Sequence, residues 1–123
     1  MMNPYLQVAL GGAVGAAARY GVNRATVAAL GPGFPWATLI VNVAGSFLMG
    51  ALVVVLARLG NGWAPLLMTG VLGGFTTFSA FSLDTLTLWE RGAQATAVAY
   101  VAASVALSLL AIVAGLAFAR VLA

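Results

Sequence analysis

Seven charged side chains are spread thinly along 123 residues, and their spacing limits what the chain can fold into. They are Arg19, Arg24, Arg58, Asp84, Glu90, Arg91 and Arg120, and they leave four long uncharged runs, 1–18, 25–57, 59–83 and 92–119. Each run reaches about the 17–25 residues that a membrane-spanning helix requires. With 63% hydrophobic residues, a soluble fold would have too few polar groups to cover its surface. The run 92–119 measures roughly 42 Å at helical rise against a ~30 Å hydrocarbon core, which implies tilt or ends in the headgroups. The first run has no basic residues ahead of its apolar stretch, so it is expected to stay as a permanent helix rather than be cleaved as a signal peptide.

The formal charge of +3 comes from five scattered arginines. They form neither a basic patch nor an aromatic-basic stripe, so no nucleic-acid partner is expected. The chain has no Cys and no His, which removes thiolate chemistry, Cys-based metal sites and the commonest acid-base side chain. An enzyme is not expected. With four spans, Arg58 and Arg120 fall on one side of the membrane and Arg24 and Arg91 on the other, with Arg19 near the latter. That balance gives the positive-inside rule little to act on. A chain able to insert both ways can form an antiparallel homodimer with its two-fold axis in the membrane plane. The alternative is one orientation imposed by a single dominant arginine.

Turn signals divide one domain, 1–123, into approximate helices 4–28, 35–58, 64–89 and 92–121. Asn3 and Pro4 suit a helix start, Gly31-Pro32-Gly33-Phe34-Pro35 and Gly60-Asn61-Gly62 are turns, and Glu90-Arg91-Gly92 separates the last two helices. Trp36, Trp63 and Trp89 fall at interfacial depth, where lipid contact is expected. The third span carries Gly73-Gly74 and Thr76-Thr77, both poor helix formers at membrane depth. An unwound turn there would free carbonyls that must be met by protein, water or a cation. Alternatively the glycines only permit close packing and the hydroxyls bond back to the helix.

Other residues also carry two readings. Phe78 and Phe81 are either packing residues on one helical face or ring edges turned toward an anion. Tyr100, Ser104 and Ser108 recur every fourth residue, as a hydroxyl track or as interhelical hydrogen bonds. Asn42 is either an interhelical bond or a pathway amide. Arg19 either snorkels to the headgroups or lends positive potential to an entrance.

Three segments together resemble the Fluc (CrcB) family of fluoride channels: Gly11-Gly12-Ala13-Val14-Gly15-Ala16-Ala17-Ala18-Arg19-Tyr20, Thr38-Leu39-Ile40-Val41-Asn42-Val43-Ala44-Gly45 and Gly73-Gly74-Phe75-Thr76-Thr77-Phe78-Ser79-Ala80-Phe81-Ser82. The resemblance covers nearly the whole chain. It implies an all-α integral membrane four-helix bundle with a broken third helix, assembled as a dual-topology antiparallel homodimer in the inner (plasma) membrane. It also implies passive export of cytoplasmic fluoride through two pores, and a central structural sodium ion held by the Gly73 and Thr76 carbonyls of both subunits. Asn42, Phe78, Phe81, Tyr100, Ser104 and Ser108 would form the fluoride pathway, with Arg19, Thr38 and Asp84 as vestibule or accessory residues. Asp84 stands where the family commonly has Glu, which shortens the reach toward Thr38.

Two other functions compete. A small proton-coupled multidrug exporter would need an ionisable group within the membrane, usually a carboxylate in the first helix, and that run has none. A noncatalytic assembly subunit would use its glycine faces to dock onto a larger complex.

Overall fold

The computed structural model describes residues 1–123 as helices joined by short turns, with no strand. Helix α1 (Pro4–Leu30) starts at the Asn3 side chain, which accepts a hydrogen bond of 2.8 Å from the Tyr5 N–H. It runs two residues past the expected 28, to Gly31, whose φ of 79° ends it. Helix α2 (Trp36–Leu59) follows Pro35, which acts as N-cap instead of first helical residue. The last helix begins at Gln94, not at 92, because Gly92 takes a φ of 85° in the connecting turn. The third region, between α2 and that last helix, departs most from a plain helix.

Segment α3 (Pro65–Leu72) winds as a π-helix, and its end is marked by the Gly73 N–H bonding to the Met68 carbonyl five residues back. A single α-turn, Gly73–Phe75, continues it. Thr76 (φ −87°, ψ 161°) and Thr77 (φ −157°, ψ 126°) are then extended before α4 (Phe78–Glu90) begins, and α5 (Gln94–Leu122) completes the chain. The glycine pair is not where helical geometry is lost, since Gly73 itself is helical at φ −62°, ψ −38°.

Two close crossings hold the chain together. On α1, a Cβ at Gly15 would lie 2.8 Å from the Phe75 nitrogen and on the Val71 carbonyl, so α1 and α3 meet backbone to backbone. On α5, a Cβ at Gly115 would come 2.8 Å from the Phe47 carbonyl carbon, which sets the α2–α5 crossing. At the start of α3 the buried Gln7 accepts a hydrogen bond from the Leu66 N–H at 3.2 Å and donates to the Met2 carbonyl at 2.9 Å.

Three stretches are long and apolar enough to cross a membrane, Trp36–Leu59, Pro65–Glu90 and Gln94–Leu122. Helix α1 has the length but is built largely of Gly and Ala and carries Arg19, Asn23 and Arg24. Freedom from charge is a weaker criterion than apolarity, which is why four runs pass the first test and three helices the second. The chain is a multi-pass membrane protein. Only 16 of its 123 residues are buried, and its accessible surface of 7227 Å² exceeds the roughly 6,100 Å² of a compact soluble protein of this mass. Much apolar side-chain surface therefore waits for lipid or another protein chain.

Candidate ion pathway

The fold places two cavities on either side of Tyr100. A groove of about 400 Å³ runs between α2, the Thr76-Thr77 linker, α4 and α5, and its lining includes Asn42, Thr76, Phe78, Phe81, Ser104 and Ser108. A second space of about 330 Å³ lies between α1, the 31–35 turn, α2 and α4, and its lining includes Arg19, Thr38, Asp84 and Arg91. Thr77 faces both. Tyr100 lines neither and is fully buried. Its ring packs edge-on to Phe34 with centroids 5.5 Å apart and lies 5.3 Å from Phe81. The arrangement is a polar cavity, a buried aromatic cluster and a groove.

Backbone pairing at the linker is nearly complete. The Asn42 side chain donates to the Thr77 carbonyl at 3.0 Å and accepts from the Thr77 N–H at 2.8 Å, so one amide satisfies both main-chain groups of an extended residue. Thr77 caps α4 by accepting from the Ala80 N–H at 3.1 Å. The Thr76 N–H and hydroxyl both donate to the Leu72 carbonyl, at 3.0 and 2.9 Å. The Thr76 carbonyl accepts no hydrogen bond within the chain. Arg19 reaches the same region from α1, its Nε donating to the Gly74 carbonyl at 3.1 Å.

The hydroxyls differ in how they are used. Ser82 and Thr85 on α4 donate to the carbonyl four residues back, at 3.0 and 2.9 Å, as helical hydroxyls commonly do. Ser104 does not, and its buried oxygen has no partner at all. Leaving a buried hydroxyl unpaired costs about 1–3 kcal/mol, so the groove holds an uncompensated polar group. Tyr100, by contrast, donates to the Asp84 carboxylate at 3.0 Å. Asp84 and Thr38 line the same cavity but form no hydrogen bond with each other, and the shorter carboxylate is met by the tyrosine.

The phenylalanines differ in environment. Phe81 is half-buried between Tyr100 and Phe78, whereas Phe78 is 77% exposed with its ring centroid 5.4 Å from that of Phe81. Gly73 is exposed and Thr76 half-buried, and no cluster of His, Cys, Asp or Glu suited to a metal ion is present. Sequence reasoning placed Phe34 only in a turn and assigned Gln7 nothing. Gln7 had one available signal, as an amide inside an otherwise apolar run.

Comparison with known proteins adds a family. The profile described as "CrcB-like protein, Camphor Resistance (CrcB)" matches residues 6–116. A protein of Cereibacter sphaeroides named fluoride-specific ion channel FluC is 62% identical over 120 residues, covering 98% of this chain and 97% of its own. Proteins of the same name from Paracoccus denitrificans and Rhizobium etli are 61% and 51% identical over 98% and 94% of this chain, covering 97% and 95% of their own lengths.

Proposed function

The chain belongs to the CrcB family, and on that premise we propose that it is a passive, fluoride-selective channel and not an enzyme. The observation that carries the reading is the unpaired, buried Ser104 hydroxyl beside Asn42 and Phe81 in one groove. Fluoride holds its water tightly, and a pathway through an apolar bundle must replace that shell with donors. The Ser104 and Ser108 hydroxyls, the Nδ2 hydrogen of Asn42 not used by Thr77, and the positive ring edges of Phe78 and Phe81 are donors of the required kind. By donating to the Thr77 carbonyl, Asn42 also partly offsets a negative oxygen that would repel an anion. Arg19 and Arg91 at the entrance raise the local anion concentration.

The assembly proposed is a dual-topology antiparallel homodimer with two pores, in the inner (plasma) membrane. The near-even arginine distribution, the small buried fraction and the groove's exposed Phe78 support a second copy. The interruption at Thr76-Thr77 acts as a broken helix, and its residues fit half of a sodium site. The Thr76 carbonyl is unpaired and Gly73 lies at the surface, so the same oxygens of a second subunit can complete a set of hard ligands. Sodium there would neutralise the facing carbonyl dipoles and fix the two linkers.

The reversal potential of the reconstituted protein in a planar bilayer, with fluoride on one side and chloride on the other, tests the assignment. A potential close to the fluoride equilibrium value is expected. Equal permeability of the two anions would reject it.

A further inference from the structure

We propose that Ser46, which none of the assignments above includes, is a further donor of the fluoride pathway and takes over where the α5 hydroxyl row stops. The proposal rests on the channel reading and extends its list of residues. Continuing Ser104 and Ser108 by four residues gives Ile112, so α5 offers no further hydroxyl along that face. Helices α2 and α5 run in parallel, as the contacts Phe34 with Tyr100, Phe47 with Phe118 and Arg58 with Ala123 require. That register puts Asn42 about level with Ser108, and Ser46, one turn on, about level with Ile112.

Ser46 lines the same groove as Asn42, Ser104, Ser108 and Ile112. It is half-buried, and unlike Ser82 and Thr85 it makes no hydrogen bond back to the carbonyl four residues earlier. Its hydroxyl is therefore free to donate into the groove. Donors would then pass from one helix to the next, and an anion leaving Ser108 would meet Ser46 opposite Ile112, at the level where α5 presents only apolar side chains.

The test measures fluoride efflux from liposomes for wild type, Ser46→Ala, Ser46→Thr and Ser46→Cys, with dimer content followed by size exclusion. Wild-type efflux is the control for the channel reading itself, and its failure would sink that reading independently of Ser46. With wild type conducting, Ser46→Ala should lose about tenfold in rate as an intact dimer, the effect of removing one hydrogen bond to an ion, and Ser46→Thr should restore most of it. Because the chain has no Cys, the Ser46→Cys variant carries the sole thiol. Methyl methanethiosulfonate added after assembly should then block flux, whatever the folding yield of the alanine variant. Wild-type flux in Ser46→Ala, or full flux after complete thiol modification, would overturn the proposal.

Discussion

Asn42 acts on a single residue through both ends of its amide, and the consequences of replacing it follow from that geometry. In Asn42→Asp the carboxylate still accepts the Thr77 N–H but cannot donate to the Thr77 carbonyl. An unpaired carbonyl costs about 1–3 kcal/mol and an added negative charge repels the ion, so fluoride flux should fall more than about tenfold in vesicle efflux. Ser104 makes the opposite prediction for stability. Since its hydroxyl has no partner, Ser104→Ala should leave the unfolding temperature of the detergent-solubilised protein unchanged or higher while flux falls. A drop in stability would assign the hydroxyl a structural bond and remove it from the pathway. Phe81→Ile keeps an apolar side chain beside Tyr100 but removes the ring edge, and should suppress flux with the dimer retained. Sequence spacing put Tyr100, Ser104 and Ser108 on one face, but spacing is blind to partners. The donation of Tyr100 to Asp84 and the isolation of Ser104 depend on helices far apart in the chain.

At the scale of elements, the crossings depend on particular glycines and not on glycine content. Gly15→Ala would drive a methyl group onto the backbone of α3, an overpacking cost of about 1–3 kcal/mol or more. Gly21 on the same helix has nothing within 4 Å of the point an added methyl group would occupy, so Gly21→Ala should be neutral or gain about 0.5–1 kcal/mol of helix propensity. Thermal unfolding of the two purified variants checks the contrast, and equal behaviour would remove the backbone contact from the account. The turns were legible because Gly and Pro act locally: Gly31, Gly60 and Gly92 all take positive φ. The third region was legible in part. Gly73-Gly74 and Thr76-Thr77 both marked the stretch by their weak helix preference, and of the two pairs only the threonines are extended. Asn42 and the Thr77 hydroxyl hold that conformation, and the first of these lies 35 residues away. The π-winding of Pro65–Leu72 had no sequence signal; it coincides with the stretch that lies against the Gly11 and Gly15 face of α1.

At the scale of the whole molecule, a single chain leaves much apolar surface for lipid or another chain to cover, and an exposed Phe78 lines its groove. An antiparallel pair makes a specific topological prediction: a tag at the carboxyl terminus should be accessible from both sides of the membrane in about equal amounts, measured by impermeant labelling of spheroplasts. Labelling from one side alone would contradict dual insertion. The central claim is ionic, and the most direct measurement is fluoride release from protein-containing liposomes, followed with a fluoride electrode after valinomycin addition, against the same preparation loaded with chloride. The account predicts rapid loss of trapped fluoride with chloride retained. Retention of fluoride, or release of both anions at the same rate, would contradict it.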